Sequence, residues 1–372
     1  MKICYVSPEF FAWGIHGGFG YLTRSLSTSL ASRGFEVSVV TRRRKGQRRM
    51  EFIDGVKVLG YESYDNYPKI LSSFRSRVAS LDVFKAVNSD IYHSQAVSYN
   101  SLVAQRASPN KLHIITFQDP YDENEWKKIA KVDPRYRFTP SHRLRIDFES
   151  RVLSTACKRA NSLYSQAHFL IPKAKNLFNI NRSIGFLPNP VNIPRGSCEK
   201  STVPSFCFLA RWDPQKRVEV FFNLARVFPS FKFVAMGHGH DAQRDHELRK
   251  IYSRIPNLVL TGFVSEDEKS RILAESWALI NTSIREALPV SFLESLAHKT
   301  PIISGENPDN LTSNYGYLVH RENFVSAIKQ LLADKERKTK GEQGRRLIEK
   351  VYESKKVVDQ HLKVYEKLME DA

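Results

Sequence analysis

The sequence predicts an α/β protein of two Rossmann-like domains facing a cleft. Three observations point there. Short apolar runs alternate with helix-period stretches from the first residues onward. A segment rich in proline, asparagine and serine (residues 186–204) interrupts that alternation near the middle, and a second alternation follows it. The chain has 372 residues, more than a single hydrophobic core usually serves. The expected domains are residues 1–188 and 189–350, with a C-terminal helix in 351–372 packing back on the first.

In the first half, Ile3–Ser7 reads as a buried strand, followed by the glycine-rich turn Trp13–Gly20. Leu22, Leu26 and Leu30 give Tyr21–Arg33 helical spacing, and Gly34 suits its end. Glu36–Thr41 is the next strand. The turn lacks the G-x-G-x-x-G fingerprint, so a tight loop without ligand and a phosphate cradle both fit it. Arg42, Arg43, Arg44, Lys45, Arg48 and Arg49 follow, a solvated loop or a contact for anionic lipid. Val56–Tyr61 reads as a strand. Ile70–Val87 reads as a helix with Ile70, Leu71, Phe74, Val78, Leu81 and Phe84 on one face. A core role for that face is favoured over a lipid one.

Asp90–Gln95 and His113–Gln118 are expected parallel strands whose polar carboxyl ends face the glycine turn. His93 fits a hydrogen-bonded structural histidine. Asp119 and Asp122 fit plain turn chemistry as well as a site. Pro140–Arg159 and Ala167–Leu177 read as helices around the strand Ser162–Ser165.

After the linker, Phe206–Ala210 is a strand, Arg211–Lys216 a basic loop and Val218–Phe228 a helix. Lys232–Gly237 is a strand running into Gly-His-Gly-His. His238 and His240 lack the carboxylate or cysteine spacing of a metal site, so a polar turn is expected. Leu258–Thr261 is a strand, and Ser265 caps the helix that follows. Trp277–Thr282 and Pro301–Ser304 are further strands, and the tail from Glu322 is mostly helical.

The stretch Ile284–Glu294 carries the most chemistry. Pro289 suits a helix start, since its missing N–H is not needed there. Glu286 then lies in a strand-to-helix loop and Glu294 more than a turn into the helix. Loops at the carboxyl ends of parallel strands bind ligands, and free N–H groups at a helix start favour an anion. Carboxylates nearby can accept hydrogen bonds from sugar or ribose hydroxyls. Two ordinary surface charges fit the same pattern, and the neighbouring motifs decide between the readings.

Composition narrows the partners. Hydrophobic residues make up 41% of the chain, enough for packed cores and unlike disorder. A net charge of +18 points to phosphates, nucleic acid or an anionic membrane surface. The four cysteines form no C-x-x-C pair, which argues against structural zinc or a disulfide framework and for the reducing cytoplasm. No signal peptide and no membrane-spanning run is expected, so membrane contact would be peripheral, on the inner face.

Arg211-x4-Lys216, Gly237-x-Gly239, Gly262-Phe263-Val264-Ser265, Glu286-x7-Glu294 and Thr300-Pro301-Ile302-Ile303 occur in order. In this the chain resembles the retaining glycosyltransferases of family four, which have the GT-B architecture. Gly17-Gly18 and Asn189 match more loosely. The resemblance implies that Arg211 and Lys216 neutralise the diphosphate of a nucleotide sugar. It implies that Gly17 and Gly18 bring backbone N–H groups to the same phosphates. Val264 would meet the base, Glu294 the ribose, and Glu286 with Ala287, Leu288 and Pro289 the donor sugar. Arg211, Lys216, Glu286 and Asp119 would be the catalytic set, without metal or cofactor.

Two departures accompany it. Gln118 stands where the family often has histidine, so acceptor-side chemistry falls to His16, Gln118 and Asp119, or to the leaving phosphate. Ala287 and Leu288 replace the usual glycines, which tightens the sugar pocket. The expected activity is retaining transfer of a hexosyl group from a UDP- or GDP-sugar to an acceptor hydroxyl, preferably on a lipid-linked or cell-surface glycan. A GT-B-like epimerase and a protein acting on RNA are the alternatives.

Overall fold

The computed structural model describes residues 1–13, 17–44, 46–62 and 69–372, with side chains from 75 onward in the last stretch. His16, Lys45 and the apolar face at Ile70, Leu71 and Phe74 lie outside the described residues. The chain forms two compact units. Unit 1 holds residues 1–122, 139–190 and 355–372, and unit 2 holds 123–138 and 191–354.

Among the described residues, unit 1 has one sheet built from β1 (Lys2–Val6), β2 (Glu36–Arg42), β3 (Met50–Ile53), β4 (Val56–Tyr61), β5 (Ile91–Ser94), β6 (Leu112–Phe117), β7 (Ser162–Ser165) and β8 (Gly185–Phe186). The spatial order is β3-β4-β2-β1-β5-β6-β7-β8. Every pairing is parallel except β3 with β4. That hairpin turns through Asp54 and Gly55, both at positive φ (49° and 79°), which matches the twist of a two-residue turn. The helix after the glycine turn runs from Gly18 to Ala31, and Gly34 at φ 87° carries the chain out of it. Ile3, Cys4 and Tyr5 are fully buried, as a central parallel strand covered on both faces requires.

The last helix, Ser354–Glu370, packs Val357, Val358 and Tyr365 into the unit 1 core. Its Tyr365 hydroxyl lies 2.9 Å from that of Tyr5 and 2.7 Å from His93 Nδ1. His93 Nε2 lies 2.7 Å from the Thr116 hydroxyl. Burial holds this imidazole well below its ordinary pKa, with the neighbouring His361 adding to the effect. His93 is therefore neutral and closed into structure.

Unit 2 has a sheet of β9 (Ser205–Leu209), β10 (Lys232–Met236), β11 (Leu258–Gly262), β12 (Ala278–Asn281), β13 (Ile302–Ser304) and β14 (Gly316–Leu318). Its order is β11-β10-β9-β12-β13-β14, all parallel. The order reverses between β9 and β12, the point where open sheets leave a crevice for ligands. Phe206, Phe208, Trp212, Phe221, Phe222 and Phe233 fill the core behind that point. No helix among the described residues is long and apolar enough to cross a membrane.

Candidate functional site

The loops that leave β9 and β12 meet at the reversal point of unit 2. After β9 the chain turns through a short 3-10 helix, Pro214–Lys216. The Thr282 hydroxyl donates to the Lys216 carbonyl at 2.6 Å, and the Ile284 N–H donates to the Gln215 carbonyl at 3.1 Å. These bonds staple one loop to the other. Lys216 Nζ then donates to Glu286 Oε1 at 2.6 Å, and both side chains are largely buried. The same oxygen accepts from Asn281 Nδ2 at 2.9 Å and from the Ser283 hydroxyl at 2.6 Å. Burial pushes the Glu286 carboxyl up, but the Lys216 charge and these donors outweigh it and hold the group below the usual carboxylate range. Glu286 is thus an ionised acceptor.

Ala287 and Leu288 are buried in the same loop. Pro289 is the N-cap of the helix Val290–Ala297, one position earlier than a first-turn proline. Glu294 lies on that helix and receives Lys269 Nζ at 2.6 Å. Burial raises its pKa against the opposing charge of Lys269. Arg211 is held by Asp213, at 3.3 Å from Nε, and by His240 Nε2, at 3.3 Å from Nη1. Val264 is half-buried in the loop that precedes Ser265, and Ser265 caps the next helix through the Glu268 N–H. The Gly237 N–H donates to Gly262 at 2.7 Å, and a Cβ on Gly237 would overlap the Ala210 carbonyl oxygen. This glycine lets β10 pass the loop that carries Arg211.

Unit 1 presents a different chemistry at its strand ends. Gly17 is the N-cap of the first helix, and the space a Cβ would take there is filled by the Glu9 carboxylate. Glu9 Oε1 also accepts the Gly20 N–H at 3.2 Å. Gly18 faces open space. At the end of β6, Gln118 is buried and trades hydrogen bonds with Asn189. Gln118 Nε2 donates to Asn189 Oδ1 at 2.9 Å, and Asn189 Nδ2 donates to Gln118 Oε1 at 2.8 Å. Gln95 and Gln166 close the amide cluster. Asp119 is half-buried beside it. In the basic stretch, Arg43 pairs with Glu62 and Arg42 and Arg44 are half-buried, while Arg48 and Arg49 are exposed.

Residues 192–367 match the family described as glycosyl transferases group 1, and residues 16–195 match Glycosyltransferase Family 4. Together they run almost the length of the chain. The chain belongs to the family 4, group 1 glycosyltransferases. It is an enzyme that transfers a sugar from a nucleotide sugar.

Solved structures agree on the fold. A sucrose-phosphate synthase from Thermosynechococcus elongatus is 16% identical, with 100% of each chain covered and a TM-score of 0.78. WaaG, a glycosyltransferase involved in lipopolysaccharide biosynthesis, is 13% identical over 96% of this chain and 98% of its own, at 0.70. HepE of Anabaena, in complex with UDP and glucose, is 12% identical over 98% and 99%, at 0.69. The fold, two Rossmann-like domains of the GT-B class, is thus the one expected from the sequence. No curated protein sequence matches the chain.

For this glycosyltransferase, several residues of the site were not visible in the motifs. Asn281 and Ser283 sit in a run that reads only as strand and loop, yet both donate to Glu286. Lys269 lies on a charged helix face that reads as solvated, yet it neutralises Glu294. Arg285 pairs with Glu125 at 2.9 Å, and no local pattern connects two residues 160 positions apart.

Proposed function

We propose that this enzyme transfers a hexosyl group, with retention, from a UDP- or GDP-sugar to a hydroxyl of a lipid-linked or cell-surface glycan. The observation that carries the donor half is the meeting of Lys216 and Glu286 at the reversal point of unit 2. Glu294 follows on the next helix, where it suits the two ribose hydroxyls. Lys216 and Arg211 suit the diphosphate, and Glu286 suits the hydroxyls of the donor sugar. Gly17, Gly18, Val264, Ala287, Leu288 and Pro289 complete the donor set through their backbones. The UDP and glucose held by HepE support a uridine donor.

In the reaction, the bond from the anomeric carbon to the diphosphate oxygen breaks, and its electron pair leaves with the diphosphate. Arg211 and Lys216 stabilise that developing charge, the largest catalytic contribution in a site of this kind. The acceptor hydroxyl oxygen bonds to the face the diphosphate left. Its proton passes to Asp119, with the departing phosphate oxygen as the competing acceptor and Gln118 beside Asp119. An Asp119→Asn variant with unchanged turnover would assign that proton to the phosphate.

Exposed Arg48 and Arg49 adjoin Met50 and Phe52 on β3, which are 51% and 68% exposed. Cations beside exposed apolar side chains suit an anionic lipid surface, which supports a membrane-borne acceptor. The donor reading is tested by a thermal-shift screen of UDP, GDP, ADP and their sugars, since a ligand of the folded state raises the melting temperature. No shift with any nucleotide would overturn it. Arg48→Gln with Phe52→Ser should weaken binding to vesicles containing anionic lipid, and unchanged binding would remove the membrane part.

A further inference from the structure

The loop that carries Glu286 is pinned from a part of the chain far from it in sequence. Residues 123–138 belong to unit 2, although they precede its main body. Their helix, Glu123–Val132, packs against the Pro214–Lys216 turn. From it the buried Glu125 carboxylate accepts Arg285 Nε at 2.9 Å. Arg285 is itself buried and is the peptide neighbour of Glu286. On the other side of the loop, burial pushes the Glu306 carboxyl up, while Lys128 of the same helix, the Glu286 backbone and Arg285 pull it down. One helix therefore touches the Lys216 turn and the Arg285 side chain, and places the charge of Lys128 where Glu306 feels it.

A buried ion pair is a poor way to gain stability, because desolvating both charges consumes most of their attraction. Apolar residues of similar volume would hold the helix as well. What the pair adds is direction, since a guanidinium and a carboxylate meet in few geometries. We propose that Glu125 and Arg285 are positioning residues for the donor sugar, setting the place of Glu286 and of the Ala287–Leu288 backbone through the Arg285 side chain. The inference rests on the reading of that loop as the donor-sugar site. It gives residues 123–138 a role in the transfer reaction. Neither side chain touches the reacting atoms.

The test uses the full chain and whichever of UDP, GDP or ADP it binds, together with the matching glucose conjugate. Glu125→Gln keeps the size and removes the charge. In it the affinity ratio of conjugate to bare nucleotide falls about tenfold and turnover falls with it, as a slightly misplaced contact entails, while the bare nucleotide binds within about twofold of wild type. Glu125→Asp, which keeps the charge, recovers part of the ratio. The double variant Glu125→Leu with Arg285→Met separates placement from stability. It regains the melting temperature, and the ratio stays low. An unchanged ratio in Glu125→Gln, or a double variant that recovers both stability and ratio, overturns the proposal. If Glu125→Gln does not fold, the double variant and Glu125→Asp carry the same comparison. A wild type that binds no nucleotide of the panel overturns the donor reading itself, whereas a wild type that binds, with variants that keep its ratio, overturns only the positioning.

Discussion

Lys216 Nζ lies 2.6 Å from Glu286 Oε1, and the two side chains join loops that leave different strands. Because both are largely buried, each is the other's counter-charge, and neither can be removed without consequence. Lys216→Ala leaves an uncompensated carboxylate and should destabilise unit 2 by about 3–5 kcal/mol. Lys216→Met combined with Glu286→Gln should recover most of that stability. Its turnover should remain about 100- to 1,000-fold below wild type, since the charge that meets the leaving diphosphate is gone. Denaturant unfolding and turnover on the same samples check both halves. A double variant that regains activity would show that the pair serves folding alone.

The two acidic residues of this loop and helix predict opposite pH behaviour. Burial raises the Glu286 pKa but Lys216, Ser283 and Asn281 bring it below the usual value. Its folded pKa is depressed, so its stabilisation is present above the unfolded value and is lost as pH falls through the folded one. Glu294 has a raised pKa, from burial that Lys269 only partly offsets. Its contribution is present below the unfolded value and is lost as pH rises through the folded one. The stability difference between wild type and Glu286→Gln should therefore grow as pH rises through the carboxylate range. The difference between wild type and Glu294→Gln should shrink over the same range. Melting temperatures collected from acid to neutral pH check both slopes, and slopes of the same sign would contradict the assignment.

What the sequence made legible is what short-range chemistry determines. Strand β12, the loop and the helix beginning at Val290 follow from an apolar run, a proline and an amphipathic stretch, and Ser265 follows from capping preference. The order of β9, its basic loop and β12 also places Lys216 and Glu286 at one end of one sheet. What stayed hidden depends on tertiary packing. The Glu125–Arg285 pair closes over a separation of 160 residues, and a glutamate in the first turn of a polar helix carries no sign of burial. Glu9 at the start of the first helix takes the place of an ordinary cap residue from outside the local sequence. The hairpin of β3 and β4 was legible in principle, through Asp54-Gly55. The basic run before it reads as a loop, which hides β3 in the sequence.

Gly237 should tolerate no side chain. Its φ of 119° lies where only glycine rests without strain, and a Cβ would overlap the Ala210 carbonyl oxygen. Gly237→Ala should cost at least about 1–3 kcal/mol from backbone strain alone. Ala210 precedes Arg211, so relief of the overlap moves the loop that carries that cation. Nucleotide binding should weaken along with stability, whereas Gly18→Ala, at a position facing open space, should leave stability nearly unchanged. Calorimetric titration and thermal unfolding of the two variants check the contrast.

Gln118 stands where the sequence resemblance leads one to expect histidine, and its surroundings are built for an amide. It exchanges two hydrogen bonds with Asn189, at 2.9 Å and 2.8 Å, and donates to Gln95 at 3.2 Å. A neutral imidazole offers one donor and one acceptor on opposite sides of a ring, so it cannot return both bonds to one carboxamide. In Gln118→His at least one buried amide group of Asn189 loses its partner, which should cost about 1–3 kcal/mol. Asn189→Ala should cost a similar amount by stranding Gln118. Because the residue is buried within the amide cluster, the introduced histidine should not raise turnover. Asp119→Asn leaves these bonds intact and should lower turnover with little change in melting temperature. A Gln118→His variant that is as stable as wild type and more active would show that the amide cluster is a substitute for histidine chemistry and that Asp119 has no part in it.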